Sequence, residues 1–232
     1  MESPLEREGT ERQVRVDAGM VTLDGDLNLP AGARAVVLFA HGSGSSRHSP
    51  RNRQMARLLN EARLATLLVD LLTPDEERVD LRTGYFRFDI GLLASRLIAA
   101  TDWLAHNPDT GQLRIGYFGA STGAGAALVA AADQPQLVGA IVSRGGRPDL
   151  AEPTLPRVRA PTLLIVGGSD TMVIELNRAA LVRLRCEKKL AIVRGATHLF
   201  EEPGALDAVA RFACTWFERH LVSAVEEEAI RD

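Results

Sequence analysis

Residues 115–127 read Ile-Gly-Tyr-Phe-Gly-Ala-Ser-Thr-Gly-Ala-Gly-Ala-Ala. The apolar start, the turn of small residues and the alanine-rich end predict a strand, a sharp corner and a helix. The corner carries the pattern G-x-S-x-G, in which a serine hydroxyl projects from a strained strand-to-helix turn. The interpretation of the chain depends on whether Ser121 is a nucleophile or a serine in a glycine-rich turn.

The composition of the 232-residue chain is ordinary for a globular domain, with 46% apolar and 25% charged residues and a formal net charge of −3. This charge provides no basic surface for nucleic acid and no attraction to a membrane. Cys186 and Cys214 lack the C-x-x-C spacing of zinc or redox sites, and residues 1–12 lack the apolar segment of a signal peptide. We therefore expect a cytoplasmic protein without a nucleic-acid or membrane partner.

Buried strands alternate with amphipathic helices along most of the chain. The apolar runs that predict buried strands are residues 35–40, 65–72, 115–118, 137–142, 162–166 and 189–193. Residues 13–29 alternate apolar and polar residues, which predicts an antiparallel pair at the start. The pattern indicates an α/β fold with an about eight-stranded, mostly parallel sheet and helices on both faces. Residues 73–83 are polar and acidic and are expected to form a loop before a long helix from Phe86.

The chain shows no internal repeat and no linker. We therefore expect residues 1–232 to form one domain, with residues 1–12 and about 223–232 flexible. An exposed sheet edge and the last helix can each mediate a dimer, so both a monomer and a homodimer stay open.

Four polar segments directly follow buried strands. They are the loop His41-Gly42-Ser43-Gly44, Ser121, Asp170 and His198. Function gathers at the carboxyl ends of the strands in an open parallel sheet, so we expect these segments at one edge. Their order along the chain, nucleophile then acid then base, is that of the α/β-hydrolase arrangement.

These residue types supply the chemistry of a serine hydrolase. A serine hydroxyl is a poor nucleophile until a base takes its proton, and His198 has a suitable pKa for that task. Asp170 would hold the imidazole in the required tautomer and stabilise it once it is charged. The sequence therefore predicts a catalytic triad of Ser121, Asp170 and His198, which needs no cofactor and no metal.

The tetrahedral oxyanion of such a reaction needs hydrogen-bond donors. The backbone N–H of Thr122, at the start of the predicted helix, is one expected donor. The backbone N–H of Ser43 is the second, because its loop follows the third strand. Gly42 and Gly44 flank that donor and are expected to contact the substrate.

Other interpretations of the same residues stay open at this point. Asp170 alone could be a helix N-cap, and His198 alone a loop histidine. Residues 119–125 also fit the G-x-x-x-G-x-G phosphate loop of short-chain dehydrogenases. Such enzymes need a Tyr-x-x-x-Lys pair, and neither Tyr85 nor Tyr117 has a lysine four residues later, which argues against an oxidoreductase. A third alternative is a non-catalytic α/β-hydrolase fold that serves as a binding module.

With these motifs in place, residues 15–220 resemble small bacterial α/β-hydrolases related to dienelactone hydrolase. Stretches similar to the branch that is sometimes fused to phosphoribosyltransferase domains are residues 41–52, 86–92 and 143–148. The resemblance implies an α/β-hydrolase fold and cleavage of small carboxylic esters, or related thioesters or lactones, through an acyl-enzyme. Dienelactone hydrolases proper carry cysteine in G-x-C-x-G-G, whereas this chain has Ser121 and Ala124. The resemblance therefore supports a general carboxylic-ester hydrolase.

The interval in which many relatives insert a helical cap is short and rich in proline here, at residues 143–160. We expect no cap domain and an open site for a small-molecule ester. Arg144 and Arg147 follow a strand end on the catalytic side, where one of them could meet an anionic substrate. The simpler interpretation, a solvated loop arginine or a pair with Asp149, is favoured because arginine is mostly exposed.

Overall fold

The computed structural model describes residues 9–222, so most of the two terminal segments expected to be flexible lie outside the described residues. The strands are β1 (Thr10–Asp17), β2 (Thr22–Leu29), β3 (Ala35–Ala40), β4 (Leu64–Val69), β5 (Arg114–Ala120), β6 (Val138–Arg144), β7 (Thr162–Gly167) and β8 (Lys188–Val193). They form one eight-stranded sheet in the order β1-β2-β4-β3-β5-β6-β7-β8. β2 is antiparallel to β1 and β4, and the pairs from β4 through β8 are parallel.

Helices cover both faces of this sheet. The helices are α1 (Pro50–Glu61), α2 (Pro74–Thr83), α3 (Ile90–His106), α4 (Thr122–Asp133), α5 (Thr171–Arg183) and α6 (Ala205–Phe217). α1 and α6 pack on one face through residues such as Met55 and Val209. α3, α4 and α5 pack on the other face through residues such as Leu97, Ala127 and Ala180. The predicted α/β architecture is therefore confirmed.

The central strands are apolar along their whole length because both of their faces are covered. Every residue of β3, β4 and β7 is buried. β8 lies at the edge of the sheet and alternates between exposed and buried residues toward its end. The strands that precede Ser121 and Asp170, β5 and β7, thus lie in the buried centre of the sheet, whereas β8, which precedes His198, is a partly exposed edge strand.

Residues 73–83 were expected to form a loop, and this expectation is wrong because the segment forms α2. Thr73 and Glu76 cap the helix reciprocally: each side chain accepts a hydrogen bond from the other residue's backbone N–H, at 3.3 and 2.8 Å. Pro74 stands at the first helical position. Glu76 also accepts a hydrogen bond of 2.6 Å from the buried Arg96 of α3. A cap and an ion pair, rather than an apolar face, hold this polar helix.

Two element boundaries differ from the sequence prediction. The long helix α3 begins at Ile90, and Phe86–Phe88 form a separate 3-10 turn before it. β1 begins at Thr10, inside the segment 1–12 that was expected to be flexible, because its first residues pair with the end of β2. Neither difference moves a predicted catalytic residue.

The edge of the sheet that carries the predicted site has no cap domain in the described part of the chain. Between β6 and β7 the chain forms only two short 3-10 turns, Pro148–Ala151 and Leu155–Arg157. The carboxyl ends of the central strands therefore face an open surface.

Candidate active site

Ser121 forms the corner between β5 and α4. Its backbone adopts φ +50° and ψ −122°, a conformation that residues other than glycine rarely adopt. The corner is so tight that a Cβ atom on Gly119 would lie 2.5 Å from the Cα atom of Ala124. A Cβ atom on Gly123 would overlap the backbone carbonyl oxygen of Ala40. Both glycines of the motif are therefore sterically required, and Ser121 is held by the packing of a strand against a helix.

Asp170 and His198 lie together at the same edge of the sheet. The Nδ1 atom of His198 donates a hydrogen bond of 2.7 Å to Oδ2 of Asp170. Asp170 stands at the N-cap position of α5, but its side chain makes no capping hydrogen bond. The carboxylate therefore serves the imidazole and not the helix end, so the simple N-cap interpretation is wrong. The Asp170 side chain is 14% exposed and the His198 side chain is 39% exposed, so part of the imidazole is open to solvent.

The loop that follows β6 joins the serine to the histidine. The N–H of Ser121 donates a hydrogen bond of 3.3 Å to the carbonyl oxygen of Arg144. The N–H of Arg147 donates one of 3.0 Å to the carbonyl oxygen of Ser121. A Cβ atom on Gly145 would lie 3.5 Å from Cε1 of His198, so the imidazole packs directly on this loop. In the described part of the chain, the imidazole is hydrogen-bonded to its carboxylate and not to the serine. Such contacts often tighten only when substrate binds.

The loop after β3 places Ser43 against the start of α4. The N–H of Ser43 donates a hydrogen bond of 3.1 Å to Oγ1 of Thr122, and the two hydroxyl oxygens are 3.0 Å apart. Thr122 is the first residue of α4, so its own N–H has no acceptor within the helix. A Cβ atom on Gly42 would lie 3.0 Å from Cβ of Ser121, which places the loop beside the serine. Both predicted oxyanion donors thus lie at the corner, and the Thr122 hydroxyl is bound to one of them.

Two partly buried contacts hold this loop in place. The carboxylate of Asp70 accepts a hydrogen bond of 2.7 Å from the N–H of Arg47 and forms an ion pair with the guanidinium of the same residue. The Nε2 atom of His41 accepts a hydrogen bond of 3.2 Å from the N–H of Leu71. Burial lowers the pKa of His41, which keeps the ring neutral and able to accept. His41 and Asp70 therefore help to shape the loop.

A cleft opens beside the same loop. Residues 41–46 and Thr122 line one side, and Leu72 and Leu93 contribute apolar surface on the other. Gly44 has φ +66° and open space around its α-carbon, so a substrate can approach the backbone there. The two glycines predicted to contact substrate thus border the cleft.

The two arginines of the loop after β6 have different environments. Arg147 donates two hydrogen bonds, of 2.9 and 2.7 Å, to the carboxylate of Asp149, which confirms the paired interpretation for this residue. Arg144 is only 8% exposed, so the interpretation as a solvated loop arginine is wrong for it. Side chains alternate between the faces of a strand, and Arg144 shares the face of Ala140 and Val142 beneath α1 and α6.

Within residues 9–222, no group of three or more His, Cys, Asp or Glu side chains could hold a metal ion. Both cysteines are free thiols, and burial, with a smaller contribution from Glu218, raises the pKa of Cys214 to about 11. Over the same range, no helix combines the length and the hydropathy that a bilayer span requires.

Residues 34–222 match the model of the dienelactone hydrolase family. This chain belongs to the dienelactone hydrolase family. The crystal structure of dienelactone hydrolase from Anabaena variabilis ATCC 29413 is 63% identical, with a TM-score of 0.91 over 93% of this chain and 100% of that one. The sheet described above is therefore that of the α/β-hydrolase fold, and the family is one of hydrolases.

One further relative and one further structure extend the comparison. A Mycobacterium tuberculosis (strain ATCC 25618 / H37Rv) protein whose name includes the words phosphoribosyl transferase is 59% identical over 211 residues, which are 91% of this chain and 47% of that protein. The chain thus spans about half the length of the curated relatives it matches. Est1E from Butyrivibrio proteoclasticus has a TM-score of 0.73 at 16% identity, over 88% of this chain and 98% of that one, and shows the fold alone.

Proposed function

We propose that this family member is a serine hydrolase that cleaves small carboxylic esters, or related thioesters or lactones, through an acyl-enzyme. The observation that carries the proposal is the 2.7 Å hydrogen bond between His198 and Asp170, at the sheet edge where Ser121 occupies its strained corner. An acid that orients a base, at the same sheet edge as a partly exposed serine on a tight turn, is the arrangement that can activate a serine.

The proposed reaction has two halves. Nε2 of His198 takes the proton of Ser121 Oγ while that oxygen bonds to the carbonyl carbon, and Asp170 stabilises the resulting imidazolium. The imidazolium then gives its proton to the leaving oxygen, the ester bond breaks and the alcohol departs. Water next gives a proton to the same nitrogen as it attacks the acyl-enzyme. The acid is released and Ser121 regains its proton.

The oxyanion would bind between the backbone N–H groups of Ser43 and Thr122. In the resting structure the Ser43 N–H is bound to the Thr122 hydroxyl. A charged oxygen is a stronger acceptor than a hydroxyl, so the oxyanion would displace that hydroxyl from the Ser43 N–H. The resting contact meanwhile holds the loop close to the corner.

The proposal also covers the substrate, the partners, the location and the oligomeric state of the enzyme. The open edge of the sheet, with a cleft bordered by the loop of residues 41–46, suits a small-molecule ester. The net charge of −3 favours neither nucleic acid nor a membrane surface as a partner. We include in the proposal a cytoplasmic location and either a monomeric or a homodimeric state.

A Ser121→Ala variant tests the proposal, because it removes one oxygen atom and leaves the backbone corner intact. We expect hydrolysis of 4-nitrophenyl acetate to fall by at least about 10⁴-fold, since the members of a triad act as a unit. A fluorophosphonate probe should label wild-type protein at Ser121, as read by peptide mass spectrometry, and should not label the variant.

The control is Ser169→Ala, which removes an exposed hydroxyl next to Asp170. It should leave both hydrolysis and labelling unchanged, and circular dichroism should show that both variants are folded. Undiminished hydrolysis by Ser121→Ala, or no adduct on folded wild-type protein, would end the proposal.

A further inference from the structure

The loop that carries His198, residues 194–204 between β8 and α6, packs against the strand before the acid. Gly167 is the last residue of β7, and a Cβ atom on it would lie 2.5 Å from the carbonyl oxygen of Thr197. Asp170 follows that strand after a short turn. The backbone on the N-terminal side of the proposed base therefore lies directly on the element that positions the acid.

Phe200 anchors the other side of His198. Its side chain is 1% exposed, and its backbone has φ +56°, a conformation that a bulky residue rarely adopts. A Cβ atom on Gly145 would lie 3.4 Å from Cε2 of the Phe200 ring, so the ring packs on the loop after β6. A strained backbone of this kind persists only where surrounding contacts hold it. The position of His198 thus depends on contacts on both sides of it and not on a regular element.

The carboxylate of Glu202 closes the base of this loop. Its Oε1 atom accepts a hydrogen bond of 3.0 Å from the N–H of Thr197 and one of 2.6 Å from the Thr197 hydroxyl. The hydrogen bond from that hydroxyl lowers the pKa of Glu202, so the group is charged at neutral pH. Residues 198–201 lie between the two partners. The contact therefore fixes the peptide that directly precedes the proposed base.

Two adjacent glutamates of the loop have different surroundings. Oε2 of Glu202 is buried and has no hydrogen-bond partner among the described residues. A buried carboxylate oxygen without a partner opposes folding, so stability alone explains Glu202 poorly. The Glu201 side chain is 62% exposed, and it forms an ion pair of 2.7 Å with Arg51 of α1. One carboxylate thus binds the backbone of its own loop, and the other binds a surface side chain.

We propose that Glu202 is a positioning residue, which holds His198 in its catalytic place through the two hydrogen bonds to Thr197. This inference rests on the proposed hydrolase function. Glu202 would act through the backbone of the loop and not on a reacting atom. A displacement of about 1 Å at a reacting group can lower a rate about 100-fold. The contact would therefore affect kcat by keeping the imidazole hydrogen-bonded to Asp170.

Glu202→Ala removes both hydrogen bonds to Thr197 and tests the proposal by kinetics. We expect kcat for 4-nitrophenyl acetate to fall by about 10- to 100-fold. KM should stay within about threefold of wild type, because the residues that border the cleft are unchanged. Glu202→Gln keeps an amide oxygen that can accept both bonds, so it should recover most of the lost kcat. Thr197→Val removes only the hydroxyl donor and should lower kcat less than Glu202→Ala does.

Glu201→Ala is the matched control. It removes the neighbouring carboxylate, which binds the side chain of Arg51 and not the backbone of the loop. This variant should leave both kcat and KM unchanged. Circular dichroism should show that each variant is folded, and the assays are run well below the melting temperature of each one.

A magnetic resonance measurement tests the contact without turnover. In Ser121→Ala protein with isotope-labelled histidine, the proton on Nδ1 of His198 should give its own signal, because the hydrogen bond to Asp170 slows its exchange with water. The signal is assigned by its loss in a His198→Gln variant. Adding Glu202→Ala should broaden or remove the signal, whereas adding Glu201→Ala should leave it unchanged.

The two measurements separate this inference from the proposed function. Hydrolysis that does not depend on Ser121 would overturn the proposed function alone, because the histidine signal would still report on Glu202. Three results would overturn the role of Glu202. They are a kcat for Glu202→Ala equal to that of Glu201→Ala, a higher KM without a lower kcat, and a histidine signal that Glu202→Ala leaves unchanged.

Discussion

Replacing Asp170 by asparagine keeps the shape of the side chain and removes its charge. In the structure, Oδ2 of Asp170 accepts the hydrogen bond from Nδ1 of His198 at 2.7 Å. The asparagine amide can donate to that nitrogen instead, which favours the tautomer with the proton on Nε2. In that tautomer the imidazole cannot accept the proton of Ser121. The substitution therefore removes both the charge that stabilises the imidazolium and the control of its tautomer.

The geometry indicates the size of the effect. Two unit charges about 4 Å apart attract each other by about 4 kcal/mol at an effective dielectric constant of about 20, and by about 1 kcal/mol in water. The carboxylate is 14% exposed and the imidazole 39%, so the pair lies between these limits. A loss of about 2–3 kcal/mol corresponds to about 30- to 150-fold in rate. The wrong tautomer adds to this, and in serine proteases the corresponding change lowers kcat by about 10⁴. We expect kcat to fall by about 10³- to 10⁴-fold.

The assay is the hydrolysis of 4-nitrophenyl acetate near neutral pH under saturating conditions, with circular dichroism as the test of folding. Asp149→Asn makes the same chemical change at a carboxylate that is paired with Arg147 and lies outside the triad. It should keep kcat close to the wild-type value. A kcat for Asp170→Asn within about tenfold of wild type, together with an inactive Ser121→Ala, would refute the role assigned to the carboxylate.

Two further predictions concern the loop and the polar helix. Thr122→Val removes the acceptor at 3.1 Å from the Ser43 N–H. Because that bond holds the loop of residues 41–44 against the start of α4, kcat should fall by about 2- to 10-fold. Thr122→Ser keeps the acceptor and should have a kcat near the wild-type value. The hydrogen bond from Arg96 lowers the pKa of Glu76 below its usual 4.5. A carboxyl with a depressed pKa in the folded state adds stability above its unfolded pKa, and this stability is lost as the pH falls through the folded value. The free energy of unfolding in urea should therefore fall more steeply in acid for wild type than for Glu76→Gln.

Each of these two predictions has an outcome that contradicts it. A higher kcat in Thr122→Val would show that the hydroxyl competes with the oxyanion rather than supporting the loop. Equal dependence of the unfolding free energy on acid pH in wild type and Glu76→Gln would show that the ion pair with Arg96 adds no stability. Glu175→Gln, at an exposed glutamate that is paired with Arg178, is the matched control for the unfolding measurement. It should leave the acid dependence of the unfolding free energy as in wild type.

Runs of apolar residues in the sequence predicted the central strands and the residues that follow them. Strands covered on both faces must be apolar throughout, so β3 to β7 could be recognised from uninterrupted apolar runs. Asp170 and His198 could be placed near Ser121 because each follows a strand of the same parallel set, β7 and the edge strand β8, and parallel strands bring their carboxyl ends to one edge. The 2.7 Å contact between acid and base is consistent with that reasoning.

The remaining features depend on contacts between distant parts of the chain. The helix α2 has few apolar residues, and part of its support is an ion pair with Arg96, 20 residues away from Glu76. The hydrogen bond from Ser43 to Thr122 joins residues 79 positions apart, and no periodicity encodes it. The burial of Arg144 could have been found, because Arg144 ends β6, a strand whose two faces are both covered. The general preference of arginine for the surface outweighed that signal.

The tight corner at Ser121 also determines how the protein should respond to heat. Gly119 and Gly123 are pressed against backbone atoms of the neighbouring helix and strand, which leaves no space for the corner to open by itself. Segments without such room open only when the cooperative unit that contains them unfolds. We therefore expect the proposed nucleophile to open together with the central sheet on which it is packed. The temperature at which turnover ceases should therefore report the melting of the whole sheet, and not the earlier loosening of a surface loop.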